Sequence, residues 1–69
     1  MRYAIVIEKG PTSFGAYVPD LPGCVAVGDT REEVARLIEE SIEAHVALLR
    51  EIGDPVPQPS TEVLVVEVS

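Results

Sequence analysis

The chain has one cysteine, one histidine, no tryptophan and only five basic residues among its 69, and each scarcity removes a class of explanation. A single cysteine, Cys24, excludes an internal disulfide. Cys24 and His45 are the only soft ligands, and structural zinc normally requires four, so no metal site is expected. The basic residues Arg2, Lys9, Arg31, Arg36 and Arg50 are scattered, with no basic stripe. Nucleic-acid binding depends on Lys and Arg neutralising phosphates, so direct nucleic-acid binding by this chain is not expected. No apolar run approaches the roughly 20 residues that a membrane-spanning helix needs. Met1-Arg2-Tyr3 leads straight into a strand-like segment without a signal-peptide cleavage site, and with the lone thiol this points to a reducing, cytoplasmic location.

What is present is ordinary for a folded domain: 46% hydrophobic and 25% charged residues, with a net charge of −7. Length allows one domain, residues 1–69, with one core. A core of that size rarely supplies more than roughly 3–5 kcal/mol. Without disulfides or metal, self-association is the remaining route to added stability. The acidity serves solubility, steering towards a basic partner, or both.

The order of elements reads β-β-β-α-β. Tyr3–Glu8 is β-branched and strand-like, Lys9-Gly10-Pro11-Thr12 has turn chemistry, and Ser13–Val18 reads as an antiparallel second strand. Pro19-Asp20-Leu21-Pro22-Gly23 interrupts regular structure before a short third strand over Cys24–Gly28. Thr30 suits a helix N-cap, with Glu33 three residues on completing a capping box. Val34, Ile38, Ile42, His45, Leu49 and Ile52 recur at helical spacing as one apolar face of about six turns. Gly53 suits a left-handed helix end, and Pro55, Pro57 and Pro59 keep the chain extended afterwards. Glu62–Val68 reads as the last strand. The expected fold is therefore α/β (α+β): a single mostly antiparallel sheet, order 3-2-1-4, with one helix packed on one face.

The terminal strands carry apolar residues on both faces. Tyr3, Ile5 and Ile7 point one way and Ala4 and Val6 the other; Val63 and Val65 oppose Leu64, Val66 and Val68. One helix covers one sheet face, and the second should be polar in a solvated monomer. The pattern fits either two central strands partly covered by the proline-rich segment or a homodimer or homotetramer. The expected oligomer interface contains Tyr3, Ile5, Val63 and Val65.

Catalytic groupings are not evident, and the chain is not expected to be an enzyme or to use a cofactor. His45 lies on the apolar helix face, Cys24 has no cationic neighbour in sequence to depress its pKa, and Ser13, Ser41 and Ser60 lie in no nucleophile elbow. Asp20 and Asp29 sit in turns, and Glu39, Glu40 and Glu43 lie on the polar helix face. The loop from Asp20 to Thr30 is the most constrained segment, and its composition fits both a defined turn and a docking surface.

Tyr17-Val18-Pro19-Asp20-Leu21-Pro22-Gly23-Cys24, followed by Gly28-Asp29-Thr30-Arg31-Glu32-Glu33-Val34, closely resembles the signature of the HicB family. Ile42-Glu43-Ala44-His45 and the proline-bearing tail extend the resemblance over nearly the whole chain. The resemblance implies a partly degenerate ribonuclease-H-like fold without nuclease carboxylates, and the antitoxin role in a type II toxin–antitoxin pair. The implied partner is a HicA-type toxin, a small basic ribonuclease that cuts mRNA. Asp20, Leu21, Pro22, Gly23, Cys24, Gly28, Asp29 and Thr30 are then the signature and candidate partner-binding residues. Full-length members often carry a C-terminal DNA-binding segment, which this sequence lacks, so operator binding is not expected of it. A solitary oligomeric domain with a structural or small-ligand role is the alternative reading.

Overall fold

The computed structural model describes all residues, 1–69. Three short strands, β1 (Val6–Lys9), β2 (Phe14–Tyr17) and β3 (Val25–Gly28), precede one helix, α1 (Arg31–Ile52). The strands form an antiparallel sheet in the order β1-β2-β3, with Val6 opposite Tyr17 and Tyr17 opposite Val25. Alternation along each strand then sorts the side chains. Ile7, Ala16 and Ala26 share the face under the helix, while Val6, Tyr17 and Val25 share the other.

Helix α1 begins where the sequence indicates. Thr30 is extended, and its hydroxyl accepts a hydrogen bond from the Glu33 backbone N–H at 3.1 Å. The helix stops at Gly53, whose φ of 78° lies in the left-handed region and whose N–H reaches back to the Arg50 carbonyl. Glu32 and Glu33 lie at the positive end of the helix dipole and Arg50 at the negative end.

The core consists of Ala16, Val18, Leu21, Cys24, Val34, Ile38 and Val46, with Tyr3, Ile5, Ile7, Phe14, Ala26, Ile42 and Val56 packed around it. On the helix Val34, Ile38 and Val46 are buried and Ile42 is half-buried; of the rest of the expected stripe, His45 and Leu49 are half-buried as well. Ile52 is exposed. Geometry explains the difference: a 22-residue helix is about 33 Å long, and strands of four residues span about 13 Å. The end of the helix overhangs the sheet, and Ile52 finds nothing to bury against.

The expected final strand is not formed. Residues 61–69 carry no regular structure and are all exposed. A strand exists only through its neighbours' hydrogen bonds, and this segment pairs with neither edge of its own sheet. The radius of gyration, 13.5 Å, exceeds the about 11 Å expected for a compact chain of this length, consistent with a projecting tail. The first three expected strands stand in the predicted order, each slightly shorter than the sequence pattern.

Candidate partner-binding site

The loop joining β2 to β3 is a tight, hydrogen-bonded structure. The Leu21 N–H donates to the Val18 carbonyl and the Cys24 N–H to the Leu21 carbonyl, both at 3.1 Å, and the Val18 N–H closes the loop onto the Cys24 carbonyl. Gly23 adopts a φ of 83°, a conformation that a side chain makes costly. The result turns Leu21 and Cys24 inward and the residues between them outward. Leu21 is fully buried and Cys24 nearly so, while Pro19, Pro22 and Gly23 face solvent. Burial also pushes the Cys24 thiol pKa up, so Cys24 serves as a small apolar core residue.

Asp20 has a role that the sequence did not reveal. Its Oδ2 accepts the backbone N–H groups of Ser60 and Thr61, each at 3.0 Å. Its Oδ1 accepts their hydroxyls at 3.0 and 2.8 Å. These bonds favour the ionised form, the Thr61 backbone N–H most strongly, and hold the carboxyl at about 2 instead of 3.8. Asp20 therefore clamps the C-terminal linker. A second anchor lies nearby in the fold, where the Tyr3 hydroxyl donates to the Pro57 carbonyl. Ser60 and Thr61 were missed because nothing local links them to an aspartate 40 residues earlier.

The remaining signature residues shape the entry to the helix. Gly28 is buried, and a Cβ there would lie 2.9 Å from the Val34 backbone nitrogen, so only glycine permits this approach of β3 to the first helical turn. Thr30 is the cap. Asp29 is exposed between them. The segment thus divides in three: Leu21, Cys24, Gly28 and Thr30 build the fold, Asp20 ties down the linker, and Pro22, Gly23 and Asp29 are left at the surface.

Beside this loop, a groove runs between Gly23–Val25 and the helix residues Ser41, Ala44, His45 and Leu48. The open sheet face continues from it with Val25 and Val27, 63% and 67% exposed, and Tyr17. Of the expected interface residues, Tyr3 and Ile5 are half-buried against this chain's own core, whereas Val63 and Val65 stand 74% and 87% exposed on the tail. The structure does not bring these two pairs together. No group of three or more His, Cys, Asp or Glu side chains is arranged to hold a metal ion, and no helix is long and apolar enough to cross a membrane.

Residues 3–67 match the sequence profile described as the HicB-like antitoxin of bacterial toxin–antitoxin systems. The chain belongs to the HicB-like antitoxin family. Among its relatives, the UPF0150 protein Ta0767 of Thermoplasma acidophilum is 31% identical over 67 residues, covering 96% of this chain and 97% of that protein. The antitoxin HicB 2 of Photorhabdus laumondii is 31% identical over 62 residues, covering 90% of this chain and 45% of that protein. The HicB-like chain therefore spans nearly all of one relative and less than half of the other. A chain in the solved HicA3 and HicB3 toxin–antitoxin complex superposes with a TM-score of 0.73 at 33% identity, covering 87% of this chain and 70% of that one. The mixed α+β architecture and the antitoxin family are thereby fixed together.

Proposed function

We propose that this domain binds and neutralises a small, basic HicA-type mRNA-cleaving toxin, acting by occlusion and without catalysis of its own. The carrying observation is the structural match to a chain of a solved HicA3–HicB3 toxin–antitoxin complex at 33% identity. A net charge of −7 complements a basic partner and favours fast, steered encounter. The proposed contact surface joins the exposed loop residues Pro22, Gly23 and Asp29 to Val25 and Val27 on the open sheet face. That surface pairs an apolar centre with an acidic margin, the usual division between a buried core and a polar rim. On this reading the protein works in the cytoplasm as a homodimer or homotetramer.

The test is co-expression with the product of an adjacent short, basic open reading frame, followed by affinity purification and titration calorimetry. A stoichiometric complex that weakens as salt rises is the expected result. Absence of binding to such a toxin-like neighbour would refute the reading in favour of a solitary oligomeric domain.

A further inference from the structure

We propose that residues 62–68 of one copy form a strand along the free β1 edge of a second copy, so that the chain dimerises by reciprocal strand exchange. The proposal specifies how the oligomer described above is built, and it stands or falls independently of toxin binding.

The donated segment is a strand without a sheet. Val63, Leu64, Val65, Val66 and Val68 are 70–87% exposed, although β-branched residues suit a pleated, packed surface. Successive side chains of a strand point to opposite faces, and here both faces are apolar. That composition fits a strand covered on both sides and not one at a solvated margin.

The receiving edge is equally specific. In the order β1-β2-β3, β1 has no neighbour on its outer side. Tyr3–Ile5 extend towards it, half-buried and already packed on the core. A groove flanks them, bounded by Met1, Tyr3, Ile42 and Val46. Arg2 precedes β1 and Lys9 closes it beside Glu8. Glu62 and Glu67 bracket the apolar run of the tail, so Arg2 and Lys9 can each face a carboxylate, whereas the β3 edge leads into Asp29, Arg31, Glu32 and Glu33.

The two anchors explain why the strand goes to a second copy. Val6 lies opposite Tyr17, so the start of β1 and the end of β2 share one end of the sheet. The linker is held first by Tyr3, before β1, and then by Asp20, beyond the end of β2. It has therefore passed its own β1 edge before the apolar run begins. Adding residues 62–68 to that edge within one chain requires breaking the Asp20 clamp, whereas a second copy's edge accepts them with both anchors intact. Reciprocal exchange about a two-fold axis closes the assembly, leaving no donor strand free.

The test combines three measurements on the full chain. Sedimentation at micromolar concentration should give twice the mass of one chain, and Val65→Pro, which removes a strand N–H outside the core, should give a monomer with unchanged helical circular dichroism. Amide exchange at Leu64–Val66 should be slowed roughly 100-fold or more relative to an unstructured peptide. In a mixture of differently labelled chains, isotope-filtered NOEs should connect the methyl groups of Val63–Val66 to those of Ile5, Val6 or Ile7 across chains. A monomeric native chain, a Val65→Pro variant of undiminished mass, NOEs confined to one chain, or protection that arises only on adding a HicA-type toxin would each overturn the proposal.

Discussion

Leu21→Ala separates the structural half of the signature loop from its surface half. Leu21 has no solvent exposure and lies in the same cluster as Ile38 and Val34. The substitution deletes three carbon atoms, which at about 0.8 kcal/mol per buried methylene is a transfer loss of about 2.4 kcal/mol. A cavity contribution brings typical Leu→Ala costs to about 2–5 kcal/mol. The site has little freedom to collapse, because Leu21 is fixed by backbone hydrogen bonds to Val18 and Cys24, so a loss of about 3 kcal/mol is expected. Against a core supplying about 3–5 kcal/mol, that leaves the domain near its unfolding midpoint at room temperature. At about 4–8 °C per kcal/mol for a domain of this size, Tm should fall by about 12–24 °C. The assay is thermal and urea unfolding followed by helical circular dichroism. Protein concentration must be held fixed, since association makes Tm concentration-dependent. Pro22→Ser, at an exposed position of the same loop, is the control and should move Tm by only a few degrees. A Leu21→Ala loss below about 1 kcal/mol would refute the assignment of Leu21 as a core residue.

Two further predictions concern the clamp and the close approach at Gly28. Asp20 has a folded-state pKa depressed from 3.8 to about 2, so the clamp is fully present above pH 4 and is lost as pH falls through about 2. Carboxyl NMR should show that low midpoint, and Asp20→Asn should speed amide exchange at Ser60 and Thr61; a midpoint near 3.8 would contradict the hydrogen bonding described. Gly28→Ala places a methyl group 2.9 Å from the Val34 backbone nitrogen and 3.2 Å from its Cα, a clash with rigid backbone. The expected cost is about 1–3 kcal/mol, read as a lower urea midpoint, and an unchanged midpoint would show that β3 and the helix can part freely.

The amino-acid sequence by itself determined the local structure. Thr30 and Gly53 bound the helix because a hydroxyl can satisfy an N-terminal N–H and only glycine enters the left-handed region cheaply. The alternation of Tyr3, Ile5 and Ile7 with Ala4 and Val6 set the faces of the first strand, and the segments Tyr17–Cys24 and Gly28–Val34 carried the family resemblance. Tertiary structure decided what depends on distance across the fold. Periodicity alone extended the helix stripe to Ile52, whereas in the fold Val46 is buried, His45 and Leu49 are half-buried and Ile52 stands exposed beyond the short sheet. A β-rich composition marked Glu62–Val68 as a strand, but pairing requires a neighbour, and the segment beyond the anchors at Tyr3 and Asp20 forms no strand with its own sheet. Asp20 itself looked like a turn residue or a partner contact. Its four hydrogen bonds to Ser60 and Thr61 arise only when the folded chain brings together groups 40 residues apart, a proximity that no local pattern encodes.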